Sequence, residues 1–87
     1  MKVSVYDTYV PIESGKLMHF DILVEENTTV DKVYSYGDTY LKNKGIGNYR
    51  LTIQECQFCH IEEASNHLEE EILKEGYYIL EMENCDF

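Results

Sequence analysis

The sequence predicts an α+β fold of order β-β-α-β-α-β, a four-stranded mixed sheet with two helices packed on one face. Three observations predict it. Apolar and polar residues alternate with strand period through the first quarter of the chain. Two later stretches repeat their apolar residues at helical spacing behind capping residues. A strand-like run then follows each helix, and helix crossovers joining strands of one sheet tend to cover one face.

The first strand runs through Val3, Val5, Asp7 and Tyr9, alternating with Ser4, Tyr6, Thr8 and Val10. The segment from Pro11 to Gly15 is a turn cluster centred on Ser14-Gly15. Met18, Phe20, Ile22 and Val24 form the apolar row of a second strand, so the two strands read as a hairpin. An even loop would put both apolar rows on one face and set His19 and Asp21 beside Tyr6 and Thr8. An odd loop would reverse that pairing, because a shift of one residue flips every side chain.

Thr28-x-x-Asp31 resembles a capping box ahead of Val30, Val33, Tyr34, Gly37 and Leu41, which predicts a helix over 29–44 with Gly45 just past its end. Tyr49, Leu51 and Ile53 alternate in a third strand that runs into Glu55-Cys56. Ser65 or Asn66 caps a second helix, where Glu69, Glu70 and Glu71 suit the positive N-terminal end and Gly76 closes it. Tyr77 to Met82 is a last strand. The 87 residues suffice for one domain over 1–87 with one small core. No repeat, linker or low-complexity stretch divides it.

Seven basic against 17 acidic side chains give a net charge of −10, and the few lysines and the arginine form no stripe. Affinity for nucleic acid comes largely from cations that neutralise phosphates, so nucleic acid and anionic membrane surfaces are excluded as partners. The charge suits metal cations or a basic partner. No stretch reaches the ~20 apolar residues of a membrane span. The first residues enter a strand pattern with no apolar leader, and the three cysteines are an odd number, so reduced thiols in the cytoplasm are expected.

Three segments carry a resemblance: Met1-Lys2-Val3 with Val5-Tyr6-Asp7-Thr8-Tyr9-Val10, then Gly15-Lys16 with Met18-His19-Phe20-Asp21, then Glu55-Cys56-Gln57-Phe58-Cys59-His60 before an acidic helix. With Gly76-Tyr77 at the last strand, they make the chain resemble the DUF2024 family of small uncharacterised bacterial proteins over nearly its whole length. The resemblance implies a compact stand-alone α+β protein and no particular activity.

Cys56-Gln57-Phe58-Cys59-His60 is the segment with most chemical content, and four readings compete for it. C-x-x-C-H matches covalent haem attachment, but that normally occurs outside the cytoplasm, and the motif is expected on a helix rather than leaving a strand. Thiol redox chemistry needs a lowered thiolate pKa, which the neighbours Glu55, Glu62 and Glu63 oppose. A metal site would use Cys56 and Cys59 with His60 or His67, completed by Cys85 or His19, and would hold zinc or iron. It would also stabilise a small core. The structural reading ranks first: free cysteines behave as small buried hydrophobes.

His19 and Asp21 share a face and, with Tyr6 and Thr8, could line a polar pocket for proton transfer; an ordinary solvated sheet face is the simpler account. Asp7 falls in the row assigned to the core, where it needs buried partners or a place near the strand end. Gly45-Ile46-Gly47 is too short for a phosphate loop.

Three function classes therefore stand. The first is a binding or interaction module that uses its uncovered sheet face, with Leu17, Leu23 and Val10, as a homodimer contact. The second is a metal-binding protein through Cys56, Cys59, His60 and Cys85. The third, least supported, is a small enzyme using His19 and Asp21.

Overall fold

Strand alternation in the first 25 residues closes into a long hairpin. β1 (Lys2–Pro11) pairs antiparallel with β2 (Leu17–Glu25), from Val3 opposite Glu25 to Pro11 opposite Leu17. Residues 12–16 form the loop, fastened where the Ile12 and Gly15 N–H groups donate to the Lys16 and Ile12 carbonyls. The loop is odd, so Ser4, Tyr6, Thr8 and Val10 share a face with Val24, Ile22, Phe20 and Met18. Val3, Val5, Asp7 and Tyr9 share the other with Leu23, Asp21 and His19. The two are called here the even and the odd face. The computed structural model describes residues 1–12, 14–46 and 56–86. The strand expected over Tyr49 to Glu55 lies outside them.

Helix α1 (Val30–Asn43) starts at Thr29, whose hydroxyl accepts from the Lys32 N–H, one residue later than the expected box at Thr28. Its buried Val33 and Leu41 pack on Met18, Phe20, Ile22 and Val24 of the even face. β3 (Cys56–Glu63) pairs antiparallel with β1, so the Cys-x-x-Cys-His segment is itself a strand rather than the exit from one. Helix α2 (Asn66–Glu75) is capped by Ser65 and ends at Gly76, whose φ of 90° is the left-handed conformation glycine adopts freely. A Cβ at Gly76 would also stand 2.6 Å from the Tyr36 hydroxyl. β4 (Tyr77–Glu83) pairs antiparallel with β2.

The sheet order is β3-β1-β2-β4, and every pairing is antiparallel. This corrects the mixed sheet expected from the crossovers. The α1 crossover carries the chain past β1, so β2 and β3 are not neighbours and no parallel pair forms among the described residues.

The helices also lie on opposite faces rather than one. Ile72 and Leu68 of α2 pack on Val3, Val5 and Leu23 of the odd face, while α1 covers the even face. The reason is visible in β2, which is apolar at both parities: Phe20, Ile22 and Val24 look one way and Leu23 the other, all of them buried. A strand buried on both sides needs cover on both sides. Of the three apolar residues expected to mediate a homodimer, Leu23 lies under α2 and Val10 under α1's side of the sheet, while Leu17 stays exposed.

This arrangement predicts that Leu23→Ala costs about 2–4 kcal/mol in chemical denaturation, the usual penalty for emptying a packed site. A cost below about 0.5 kcal/mol, typical of surface positions, would contradict a helix on the odd face.

Candidate metal centre

Helix α2 covers the end of the odd face that holds Val3, Val5 and Leu23. Beyond that cluster the same face continues with Asp7 directly opposite Asp21 and Tyr9 directly opposite His19. Like charges opposed across a strand pair repel, so this pairing needs a proton, a cation or a cationic side chain between the carboxyls. The Tyr9 ring stacks on the His19 imidazole at 4.2 Å and 10°, which shields the ring from water. On the even-face side, the Cys85 thiol donates to the His19 carbonyl and fixes its backbone.

His19 Nε2 stands 3.8 Å from Asp7 Oδ1 and 3.7 Å from Asp21 Oδ1. Both separations are too long for hydrogen bonds. His19 Nε2 and Asp21 Oδ1 are out of contact with water and have no hydrogen-bond partner. Unpaired buried polar atoms are costly, and such groups in folded proteins commonly mark a function. The His19 and Asp21 side chains are 18% and 14% exposed, whereas Asp7, at 38%, opens the group to solvent. One ligand atom from each of Asp7, His19 and Asp21 lies within 4.8 Å of the other two.

The two carboxyls titrate apart. Burial, then the hydrogen bond and charge of Asp7, push the Asp21 carboxyl up to about 6. Asp7 moves down, chiefly because Asp21 hydrogen-bonds to its ionised form. One proton is thus shared across the strand pair at acid pH, and above it the site holds two adjacent negative charges.

β3 brings further donors through a β-bulge. Val5 pairs with His60 and Tyr6 with Phe58, so Cys59 is the extra residue between them. Bulges re-aim side chains and recur beside functional sites. Here the Asp7 carboxylate, ahead of burial, raises the pKa of the Cys59 thiol. Cys59 Sγ also lies 3.0 Å from His60 Nδ1, and His60 Nε2 lies 2.9 Å from Glu62 Oε2.

The residues singled out from sequence are therefore divided. Cys56 sits on the even face in the main core, where it accepts a 3.5 Å hydrogen bond from Thr8 Oγ1, and burial raises its pKa. Cys85 is buried in that same core, and His67 is exposed in the first turn of α2. Cys59 and His60 are exposed at the odd face, so the sheet separates them from Cys56. Tyr6 and Thr8 likewise lie across the sheet from His19 and Asp21, because the hairpin loop is odd rather than even. The residue that joins His19 and Asp21 is Asp7, which the parity of the loop would have indicated.

Comparison with known proteins places this architecture. A family model described as domain of unknown function DUF2024 matches residues 1–82. The chain is similar to protein NE1680 from Nitrosomonas europaea, solved by NMR, with 36% identity and a TM-score of 0.87 over 99% of this chain and 100% of that one. No curated protein matches.

Asp21 makes the metal-free domain pH-dependent. Its folded pKa of about 6 exceeds the ordinary 3.8, so the folded state holds that proton more tightly than the unfolded chain. The stability it lends is complete at acid pH and is lost as pH rises through the folded value. The metal-free Tm is expected to fall between about pH 4 and pH 6, and Asp21→Asn to flatten that slope and add about 1 kcal/mol at neutral pH. A slope unchanged in Asp21→Asn would show that the opposed carboxyls are not its origin.

Proposed function

The chain belongs to the DUF2024 family, and we propose that its function is to bind a divalent first-row transition-metal cation on the odd sheet face through Asp7, His19 and Asp21. The observation that carries this reading is the position of His19 Nε2, buried, without a hydrogen-bond partner and 3.7–3.8 Å from two carboxylate oxygens. Two ligands each ~2.1 Å from one ion stand roughly 3–4 Å apart, so the spacing suits a shared cation where it does not suit hydrogen bonds.

The chemistry of the donors agrees. Two carboxylates and one imidazole suit zinc, ferrous iron or manganese. A cation between Asp7 and Asp21 would cancel the repulsion that the strand register imposes. The net charge of −10 raises the local concentration of cations and repels phosphate polymers. Three protein ligands leave coordination positions open towards the half-exposed Asp7, as in sites where a metal meets water or a small ligand. The metal-binding reading of the sequence is retained, with its donors moved from the cysteine pair to the strand pair.

Calorimetric titration of the intact protein with zinc is the test. One ion per chain is expected, with affinity at least ~10-fold lower in His19→Ala and Asp21→Asn and unchanged in His67→Ala. At free zinc near 100 times Kd, the folded state should gain about 2.7 kcal/mol, all of it lost on adding chelator. Equal affinity in wild type and Asp21→Asn would overturn the assignment.

A further inference from the structure

We infer that the open edge of β4 is an interface for a second copy of this chain, which joins two four-stranded sheets into one by antiparallel pairing of β4 with β4. This moves the homodimer contact expected on the sheet face to the sheet edge, and it stands independently of the metal centre.

The two outer strands of the sheet differ in how they are guarded. Among the described residues β3 and β4 each have a strand neighbour on one side only. An outer strand presents unpaired N–H and C=O groups to any further strand, and proteins protect such edges with bulges and charges. β3 carries both, since its bulge falls mid-strand at Cys59 and His60, Glu62 and Glu63 follow it. β4 opens instead with Tyr77-Tyr78-Ile79-Leu80, a run without charge, proline or glycine, and its own register shift comes late, at Met82. The strand is also held firmly. Tyr36 stacks on Tyr77 at 4.4 Å, and Glu81 pairs with Lys44 at 2.8 Å while accepting from the Tyr40 hydroxyl. An edge fixed in this way loses little conformational entropy on docking.

The pattern of charge along β4 selects a second copy as the occupant. A two-fold axis through Leu80 uses all seven residues of the strand. It sets Leu80 against the partner's Leu80, Tyr78 against the partner's Met82, Ile79 against the partner's Glu81 and Tyr77 against the partner's Glu83. No two carboxylates meet, whereas parallel pairing in register would set each glutamate beside its own copy. The same antiparallel register covers Leu80 and Met82, which are exposed at 44% and 51%. Lys44 neutralises Glu81, so this edge escapes part of the repulsion that a net charge of −10 imposes between copies.

Sedimentation equilibrium of the intact protein at ~0.3 M salt, which screens the net charge, tests the inference. A monomer–dimer equilibrium with Kd of roughly 1–100 µM is expected for so small a contact. Leu80→Lys places two lysines against each other at the axis and should weaken the dimer at least ~10-fold, although it makes the chain less negative. Phe58→Lys, the same change of charge on the other outer strand, should leave Kd unchanged. Amide hydrogen exchange of the wild type locates the contact without a variant. Alternate N–H groups of β4 should gain protection between dilute and concentrated protein, and those of β3 should not. A protein still monomeric at ~1 mM, a dimer of equal Kd in wild type and Leu80→Lys, or a dimer that leaves the β4 amides unprotected would each overturn it.

Discussion

β1 and β2 are joined by an odd loop, and that parity sets Asp7 against Asp21 and Tyr9 against His19. Everything distinctive about the odd face follows from it. Two carboxyls are forced together in a partly buried position, and the imidazole beside them is shut under a tyrosine ring with its Nε2 unpartnered. A one-residue change of register would send Asp7 to the even face, among Phe20 and Ile22, and dissolve the group. The hairpin is also the centre of the sheet, flanked by β3 and β4, so the register is held from both sides. Apolar burial on both faces enforces it: Val3, Val5 and Leu23 must meet α2 while Phe20, Ile22 and Val24 must meet α1.

Such an arrangement opposes folding in the metal-free state. An 87-residue domain buries little surface, and two small cores on either side of one sheet leave a narrow margin. Placing ionised Asp7 and Asp21 opposite one another spends part of that margin at neutral pH. A bound cation would reverse the sign of the contribution, because it would turn repelling groups into ligands and satisfy His19 Nε2 and Asp21 Oδ1 at once. On the proposed reading, folding and cation binding would be linked through the same three side chains, Asp7, His19 and Asp21.

Much of the fold was legible in the sequence. Period-2 alternation marked the hairpin, Ser65 and Gly76 bracketed α2, and the spacing of Val33, Gly37 and Leu41 marked the buried side of α1. The strand after α1 was less legible, because Cys56–Glu63 carries charged and aromatic residues with only Cys56 buried, as befits an edge strand. The distribution of helices over two faces lay in β2, whose Leu23 breaks a tidy even row; alternation alone cannot assign such a residue. The site was half legible. His19 and Asp21 share a parity on one strand and so stood out, whereas Asp7 belongs to another strand and joins them only through the loop length. The cysteine pair attracted attention by its spacing, but C-x-x-C spacing brings thiols together on a turn or helix, and an extended strand with a bulge instead sends Cys56 and Cys59 to opposite faces.

The central claim is that one cation sits between Asp7 and Asp21 and is held by His19 Nε2. NMR of the histidine side-chain nitrogens during zinc addition addresses it most directly, because it distinguishes the three imidazoles and their two nitrogens. The account predicts that His19 Nε2 shifts to a metal-bound position and saturates at one equivalent, with His67 unmoved. Zinc that shifts His67 first, or leaves His19 Nε2 at its metal-free position at saturation, would contradict it.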